Sequence, residues 1–533
     1  MITHPTPQIY ILDPKSHRLF GDSTLDNELD RIEKEFKNTK KDEDFLTILK
    51  QSQKNHHLRN LFKVILNNRR LLQKFGSDQE RSRLTQELQK ILTHPIKNLL
   101  DYFMFFEDAA YFFSSRGKIA NFGRGSSAGC YLNYLLGITK VDPLKHNLLF
   151  ERFMSENRMP DIDFDMGSPG CSTMFENYLK EKFGNNLFGV AWATYHKADS
   201  ALISVLAELN IPLSDPEKNQ IRTAVRKVQT ETGNPPFYQP MPLTSHLLSE
   251  DPLLSLLFKF NPNLEKLMND KVGSIKGYNS APVGYVLTKD PSMFSKDDLV
   301  PSRNPIIPTT IKNSKLEEFG IEKLDFIKST LYENLNTIGS LLDLENIDWD
   351  NKTQFKIIFS KSNAERINEK TIFYSKAPFP ILSVSDMAVW LVISRKEFKE
   401  NNLWNTWEEL KLGIDHYFQE SQGRLIFQED FMRFLNEIGG FSVEDSFKVL
   451  KNTGKRHHDK IQEYRTQFIT NIQKHHPNLI PLAEDIWSFL VNRSSFLFLH
   501  AHALAWTHAE FAMCYFTAIE KSIPGIKLSK LKK

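Results

Sequence analysis

The sequence predicts a helix-rich α+β protein in which a small carboxylate-bearing sheet is set among helical lobes. Three observations predict it. Most of the chain places Leu, Ile and Phe at helical spacing among dense charges. One short run, Pro160-Asp161-Ile162-Asp163-Phe164-Asp165, alternates strictly with the period of a strand. Strand-like text returns at Gly284-Tyr285-Val286-Leu287-Thr288 and at Lys323-Leu324-Asp325-Phe326. A chain of 533 residues is too long for one hydrophobic core and implies about two to four domains.

Composition narrows the class. With 40% hydrophobic and 25% charged residues the chain is an ordinary folded protein. A net charge of +3, from 68 basic and 65 acidic residues, neither announces nor excludes a nucleic-acid partner. Cys130, Cys171 and Cys514 are scattered without CxxC spacing, which argues against a disulfide framework or a zinc ribbon and fits a reducing cytoplasm. The start, Met1-Ile2-Thr3-His4-Pro5, lacks the basic and apolar regions of a secretory leader. The most apolar window, Phe496 to Phe516, contains His500, His502, His508 and Glu510. Such groups are costly at bilayer depth, so a buried helix and no membrane span are expected.

Residues 26 to 95 carry an amphipathic pattern, as in Leu29-Asp30-Arg31-Ile32-Glu33-Lys34-Glu35-Phe36. An aromatic-rich helix follows from Leu99 to Phe113, its rings assigned to the core rather than to base stacking. From Gly189 to Leu267, helix-like stretches broken by Pro212, Pro235, Pro236 and Pro240 read as an inserted helical lobe. After Phe326 the chain is expected to be mostly helical. The lysine-rich tail from Lys527 to Lys533 reads as a solvated end.

Chemistry concentrates in three stretches. In Gly123-Arg124-Gly125-Ser126-Ser127-Ala128-Gly129, small residues let backbone amides converge on an anion, with Arg124 and the serines as added donors. Alone, such a run is equally a plain loop. In the alternating run, period two puts Asp161, Asp163 and Asp165 on one face and Ile162 and Phe164 in the core. Like charges so placed need a positive counterpart, and magnesium, a hard ion suited to carboxylate oxygens, meets the need. The alternative is a strand edge with solvated charges. Asp325, between Leu324 and Phe326, supplies one more carboxylate. A Gly-Ser loop, a closely spaced aspartate pair and a distant aspartate, in that order, form the layout of a nucleotidyltransferase palm.

Residues 123 to 165 resemble the alpha subunit of bacterial DNA polymerase III. The resemblance is carried by Gly123-Arg124-Gly125-Ser126, Asp142-Pro143-Leu144, Leu148-Leu149-Phe150-Glu151-Arg152-Phe153 and Pro160-Asp161-Ile162-Asp163-Phe164-Asp165. It continues more weakly from about residue 85 to about residue 525. It implies a DNA polymerase beta-like palm with helical thumb and fingers, divided as 1–84 N-terminal helical region, 85–190 palm, 191–271 thumb-like lobe, 272–335 palm and 336–533 fingers. It implies two Mg2+ ions held by Asp163, Asp165 and Asp325, and a triphosphate held by Gly125 and Ser126 with Lys323 beside the metals. Gly423 to Glu429 resembles the opening of the fingers, Ser442 to Arg456 the basic triphosphate-contacting helix, and His502-Ala503-Leu504-Ala505-Trp506 a helix reading His-Ser-x-Ala-Tyr. Arg124, Lys451 and His502 are accordingly the expected triphosphate contacts.

The implied reaction is phosphoryl transfer from a deoxynucleoside triphosphate to the primer 3′-hydroxyl on primed template DNA. Arg222, Arg226 and Lys227 are candidates for gripping DNA phosphates; a wet helix face explains them equally. Departures accompany the likeness. Where the family's fingers carry two consecutive arginines this chain has Leu450-Lys451, and a lysine makes no bidentate clamp. Ile327-Lys328-Ser329-Thr330 replaces a Gly-Leu-rich run, an Arg-Pro-Gly-Pro is missing, and the palm histidine before Gly284 is replaced near Ala281. The sequence leaves no room before residue 80 for the family's phosphoesterase domain and shows no clamp-binding module, so clamp or exonuclease partners are not evident and processivity is expected to be poor. Three readings stay open: a templated polymerase, a catalytically impaired relative serving as a DNA-binding or accessory subunit, and a nucleotidyltransferase that needs no template.

Overall fold

The computed structural model describes residues 14–37, 43–68, 76–95, 99–154, 160–231, 251–288, 290–300, 306–311, 315–316, 323–400 and 414–526. Two compact units emerge: one from 1–184, 283–289 and 313–533, the other from 185–282 and 290–312. Pro235, Pro236, Pro240 and the 527–533 tail lie outside the described residues.

The first unit opens with helices α1 (Ser23–Lys37), α2 (Glu43–Ser52), α3 (His56–Asn67) and α4 (Asp78–Thr93), as the periodicity predicts. On α1 the buried positions Leu29, Ile32, Glu33 and Phe36 recur at three- and four-residue spacing. A reciprocal cap between Ser77 and Glu80 starts α4. Helix α5 (Leu99–Ser114) is buried nearly all round because it lies under the sheet on one side. Its Phe106 and Phe113 stack on Phe164, and Phe106 and Phe105 pack on Phe326. These rings are core, as expected; Tyr111 is the exception, 43% exposed with the Arg18 guanidinium 3.7 Å above it.

In the same unit, β1 (Asp163–Gly167) pairs in parallel with β5 (Lys323–Ser329). The far edge of β5 pairs antiparallel with the end of β3 (Ile275–Leu287), Tyr285 opposite Leu324. Ile162 and Phe164 are 0% and 1% exposed, so the apolar half of the alternating run faces the aromatic layer and the other half is turned away from it. A second core of this unit gathers around the helix His500–Glu520, which is buried along most of its length, and a third around Phe431, Leu435, Phe468 and Trp487. No helix among the described residues is long and apolar enough to cross a membrane.

The second unit corrects one expectation. Where the sequence suggests only helices, Leu187–Tyr195 forms strand β2, paired in parallel with β4 (Pro308–Thr309) at Gly189 and Val190. Helices Ala198–Glu208, Asp215–Glu231, Pro252–Phe260 and Leu264–Lys271 complete this unit around Leu202, Leu206, Ile221 and Met268. Arg222 and Lys227 are exposed on Asp215–Glu231, and Arg222 bonds Asn219 at 2.7 Å.

Candidate active site

Strand pairing builds the carboxylate group. The β1–β5 register sets Asp163 directly opposite Asp325. Asp161, just before β1, joins them, so that one carboxylate oxygen from each of Asp161, Asp163 and Asp325 lies within 4.8 Å of the other two. Asp165 is not a member of this triplet. It is 1% exposed, and its Oδ1 accepts a hydrogen bond from Arg124 Nη1 at 3.1 Å.

Asn121 sets the Gly-Ser loop beside β1. Its N–H donates to the Asp165 carbonyl at 2.9 Å, and its Oδ1 accepts from the Asp165 N–H at 3.3 Å, extending the strand's hydrogen bonding by one residue. The chain then turns through Gly123 and Gly125. At Gly125 the backbone is left-handed (φ 59°), and a Cβ there would stand 3.3 Å from Asp163 Oδ2. Glycine is what allows so close an approach. The Ser127 hydroxyl donates to the Arg124 carbonyl at 2.7 Å, and the Ser126 carbonyl accepts from Gly129 at 2.9 Å, which fixes the bend.

His502 reaches the loop from the first turn of His500–Glu520. Buried Glu429 caps that helix, accepting the N–H groups of His500 and Ala501 at 2.8 and 3.0 Å. The Gly125 N–H donates to His502 Nδ1 at 3.2 Å. Burial, and then the Arg124 charge, lower the His502 pKa to about 4. The ring is therefore neutral near pH 7, with its proton on Nε2.

The carboxylates behave as an under-compensated group. Burial, followed by the charges of Asp161 and Asp325, raises the Asp163 pKa to about 6 against the pull of Arg124. Burial raises that of Asp165 to about 6, Arg124 opposing. Asp325 is raised as well, by burial, although Lys323 Nζ lies 2.8 Å from its Oδ2. Asp325 Oδ1 is buried and accepts no hydrogen bond. Three carboxylates within reach of one another, one of them with an oxygen that accepts no hydrogen bond, fit a hard divalent cation, which prefers all-oxygen ligation.

The structure thus brings together Asp163, Asp325, Lys323, Gly125, Arg124 and His502, with Asp165 one step along β1 and Ser126 in the adjoining bend. Lys451 stands on the helix Val443–Gly454, its ammonium 4.8 Å from the centre of the Phe447 ring; the carboxylate group does not include it. Asp161 was legible as part of the alternating run, although the family pattern assigns it no metal. Asn121 and Glu429, which position the loop and the helix, carry no sequence signal of their own, because each acts through backbone groups distant in the chain.

A family model for the bacterial DNA polymerase III alpha NTPase domain matches residues 56–327, and one for the bacterial DNA polymerase III alpha subunit finger domain matches residues 386–476. Among curated proteins, the DNA polymerase III subunit alpha of Ureaplasma parvum is 24% identical over 450 residues, covering 79% of this chain and 44% of that protein. That of Bacillus subtilis is 24% identical over 483 residues, 84% of this chain and 41% of the relative. That of Helicobacter pylori is 24% identical over 479 residues, 84% and 38%. The chain spans less than half the length of these relatives.

Proposed function

The chain belongs to the bacterial DNA polymerase III alpha-subunit family, and on that premise we propose that it is a DNA-directed DNA polymerase whose active site is the carboxylate face of β1 and β5. The observation that carries the proposal is the pairing of Asp163 with Asp325 across two strands, with the Gly125 backbone against Asp163. Asp163, Asp165 and Asp325 are the residues that would hold magnesium. Divalent cations held there would supply Lewis acidity towards a primer 3′-hydroxyl and positive charge against a leaving pyrophosphate.

The chain's own groups position and neutralise. Gly125 and Ser126 border the space next to the carboxylates where a triphosphate would lie, and Arg124 supplies a guanidinium there. Neutral His502, its Nδ1 occupied by Gly125, offers Nε2–H as a donor that adds no charge. Lys323 offsets part of the carboxylate charge from beside Asp325. Lys451, on a helix of the finger match, is assigned to the triphosphate's outer phosphates, and Arg222, Arg226 and Lys227 to DNA phosphates.

A specific observation favours a second reading, an impaired relative acting as a DNA-binding or accessory subunit. Leu450 is 5% exposed, packed in the core with Phe447 and Trp487, so one of the two expected arginine positions has become a core position. Primer extension by the purified protein, beside an Asp163→Ala, Asp165→Ala double variant, decides between them. The expected result is template-dependent extension by the parent and none by the variant. No incorporation by the parent with Mg2+ or Mn2+ leaves the accessory reading, and incorporation without a template points to the untemplated enzyme.

A further inference from the structure

Helix α5 has two faces with different fates. Phe106 and Phe113 turn towards the sheet and stack on Phe164. Met104, Asp108, Tyr111 and Phe112, at positions i, i+4, i+7 and i+8, lie on the opposite side of the helix. There they line a cavity of about 340 Å³ within the first unit, the size of a small-molecule site. The helix and the apolar face of β1 stand between this cavity and the carboxylates.

Charge in the cavity is one-sided. Arg18, Arg116 and Lys182 line it, and among the described residues Asp108 is the one carboxylate that does. Lys182 Nζ lies 2.7 Å from Asp108, and Arg18 is paired with buried Glu107, so both of those cations are matched. Arg116 is not. Among the described residues it meets no carboxylate; its Nη1 donates to the Phe112 carbonyl at 2.9 Å and to the Ser115 hydroxyl at 3.3 Å, and the guanidinium lies 3.9 Å from the centre of the Phe112 ring. A phosphate is the anion that the forked donors of a guanidinium suit.

Tyr111 supplies a surface of another kind. It is 43% exposed on a helix otherwise buried nearly all round. Arg18, itself fixed by Glu107, braces the ring from one side at 3.7 Å. An aromatic ring held on one side and still open to solvent is ready to stack a planar group, because part of the ordering cost is already met. One cavity thus joins a stacking surface to an unmatched guanidinium, and a ligand that uses both has a planar ring and a phosphate.

We propose that this cavity is a second nucleotide site, taking a base against Tyr111 and a phosphate against Arg116. It needs neither the aspartates of β1 and β5 nor a metal ion. A free nucleotide and the end of a single strand present the same chemistry to it.

The test is equilibrium dialysis of radiolabelled dAMP against the full chain in EDTA, which leaves no divalent ion for the carboxylate face. The parent is compared with Tyr111→Ala, Tyr111→Phe, Arg116→Gln and the Asp163→Ala, Asp165→Ala double variant, with thermal melting to check that each is folded. Binding is expected to weaken about tenfold or more in Tyr111→Ala and Arg116→Gln, and to stay within about threefold of the parent in Tyr111→Phe, which keeps the ring, and in the double variant. Ribose 5-phosphate, which has no base, is expected to compete about tenfold less well than dAMP. A 5′-phosphorylated oligothymidylate run beside dTMP identifies the source: stronger competition by the oligonucleotide, lost in Tyr111→Ala, means a strand end, and stronger competition by dTMP means a free nucleotide. A parent that binds no dAMP at millimolar concentration, a folded Tyr111→Ala variant that binds it like the parent, or a double variant that loses it overturns the proposal. Primer extension by the parent in any of those cases leaves the polymerase reading standing.

Discussion

Two sets of carboxylates in the first unit, one in the N-terminal helices and one on the sheet, are treated in opposite ways. In the N-terminal helices and α5, Glu107 is 2% exposed on its side chain and is gripped by the Arg18 guanidinium and by His17 Nε2 at 3.3 Å. Burial alone would raise its pKa, but those hydrogen bonds lower it. Glu87, on α4, receives Arg83 Nε at 2.6 Å and the N–H groups of Tyr131 and Leu132, each at 2.9 Å. On the face of β1 and β5, by contrast, Asp163 and Asp165 are raised to about 6 and an oxygen of Asp325 has no hydrogen bond. The N-terminal carboxylates tie the chain to itself. The sheet carboxylates gather more negative charge than Arg124 and Lys323 offset, an excess that is destabilising unless a further positive charge meets it.

That contrast is broken most directly at Asp325. Asp325→Asn removes a charge whose partner is proposed to be a metal, and incorporation is expected to fall by about three orders of magnitude, the loss of roughly 4 kcal/mol of transition-state stabilisation. Steady-state primer extension measures it, and activity within a few-fold of the parent would place the metal site elsewhere. Glu107→Ala is the complementary change. It leaves Arg18 without its carboxylate and is expected to cost about 3–5 kcal/mol of stability, read by urea denaturation, while folded molecules keep their rate. A smaller effect is expected at the loop. Gly125→Ala forces a side chain into a left-handed backbone, at about 1–2 kcal/mol, and sets a methyl against Asp163, so extension is expected to fall more than stability does.

Period two in the sequence is enough to divide Ile162 and Phe164 from the aspartates, and helical spacing is enough to find α1 to α5, because both follow from local geometry. Strand β2 escapes for a physical reason. Gly189, Ala191 and Ala193 have little strand preference of their own, and the pairing of Gly189 and Val190 is with Pro308 and Thr309, more than a hundred residues away. The site divides along the same line. Asp163, Asp165 and Asp325 are legible as types in a pattern, and the family resemblance adds His502. That Asp161 rather than Asp165 lies with Asp163 and Asp325, and that Arg124 engages Asp165, is encoded by no spacing in the sequence.

The finest test of the contrast is the pH dependence of stability without metal. A carboxyl whose folded pKa lies near 6, above the ordinary carboxylate range, holds its proton in the native state at pH values where the unfolded chain has released it. Native protein then binds more protons than unfolded protein between about pH 4 and pH 6, and stability falls as pH rises through that window. Asp163→Asn removes one of the charges responsible. At pH 8 without divalent ions this variant is expected to be more stable than the parent by about 1–2 kcal/mol, with the difference shrinking towards pH 4. Adding Mg2+ at pH 8 should raise the parent's melting temperature more than the variant's. Melting curves across pH, with and without Mg2+, give both readings. A variant less stable than the parent at pH 8 without metal would mean that Asp163, like Glu107, is already satisfied by the chain around it.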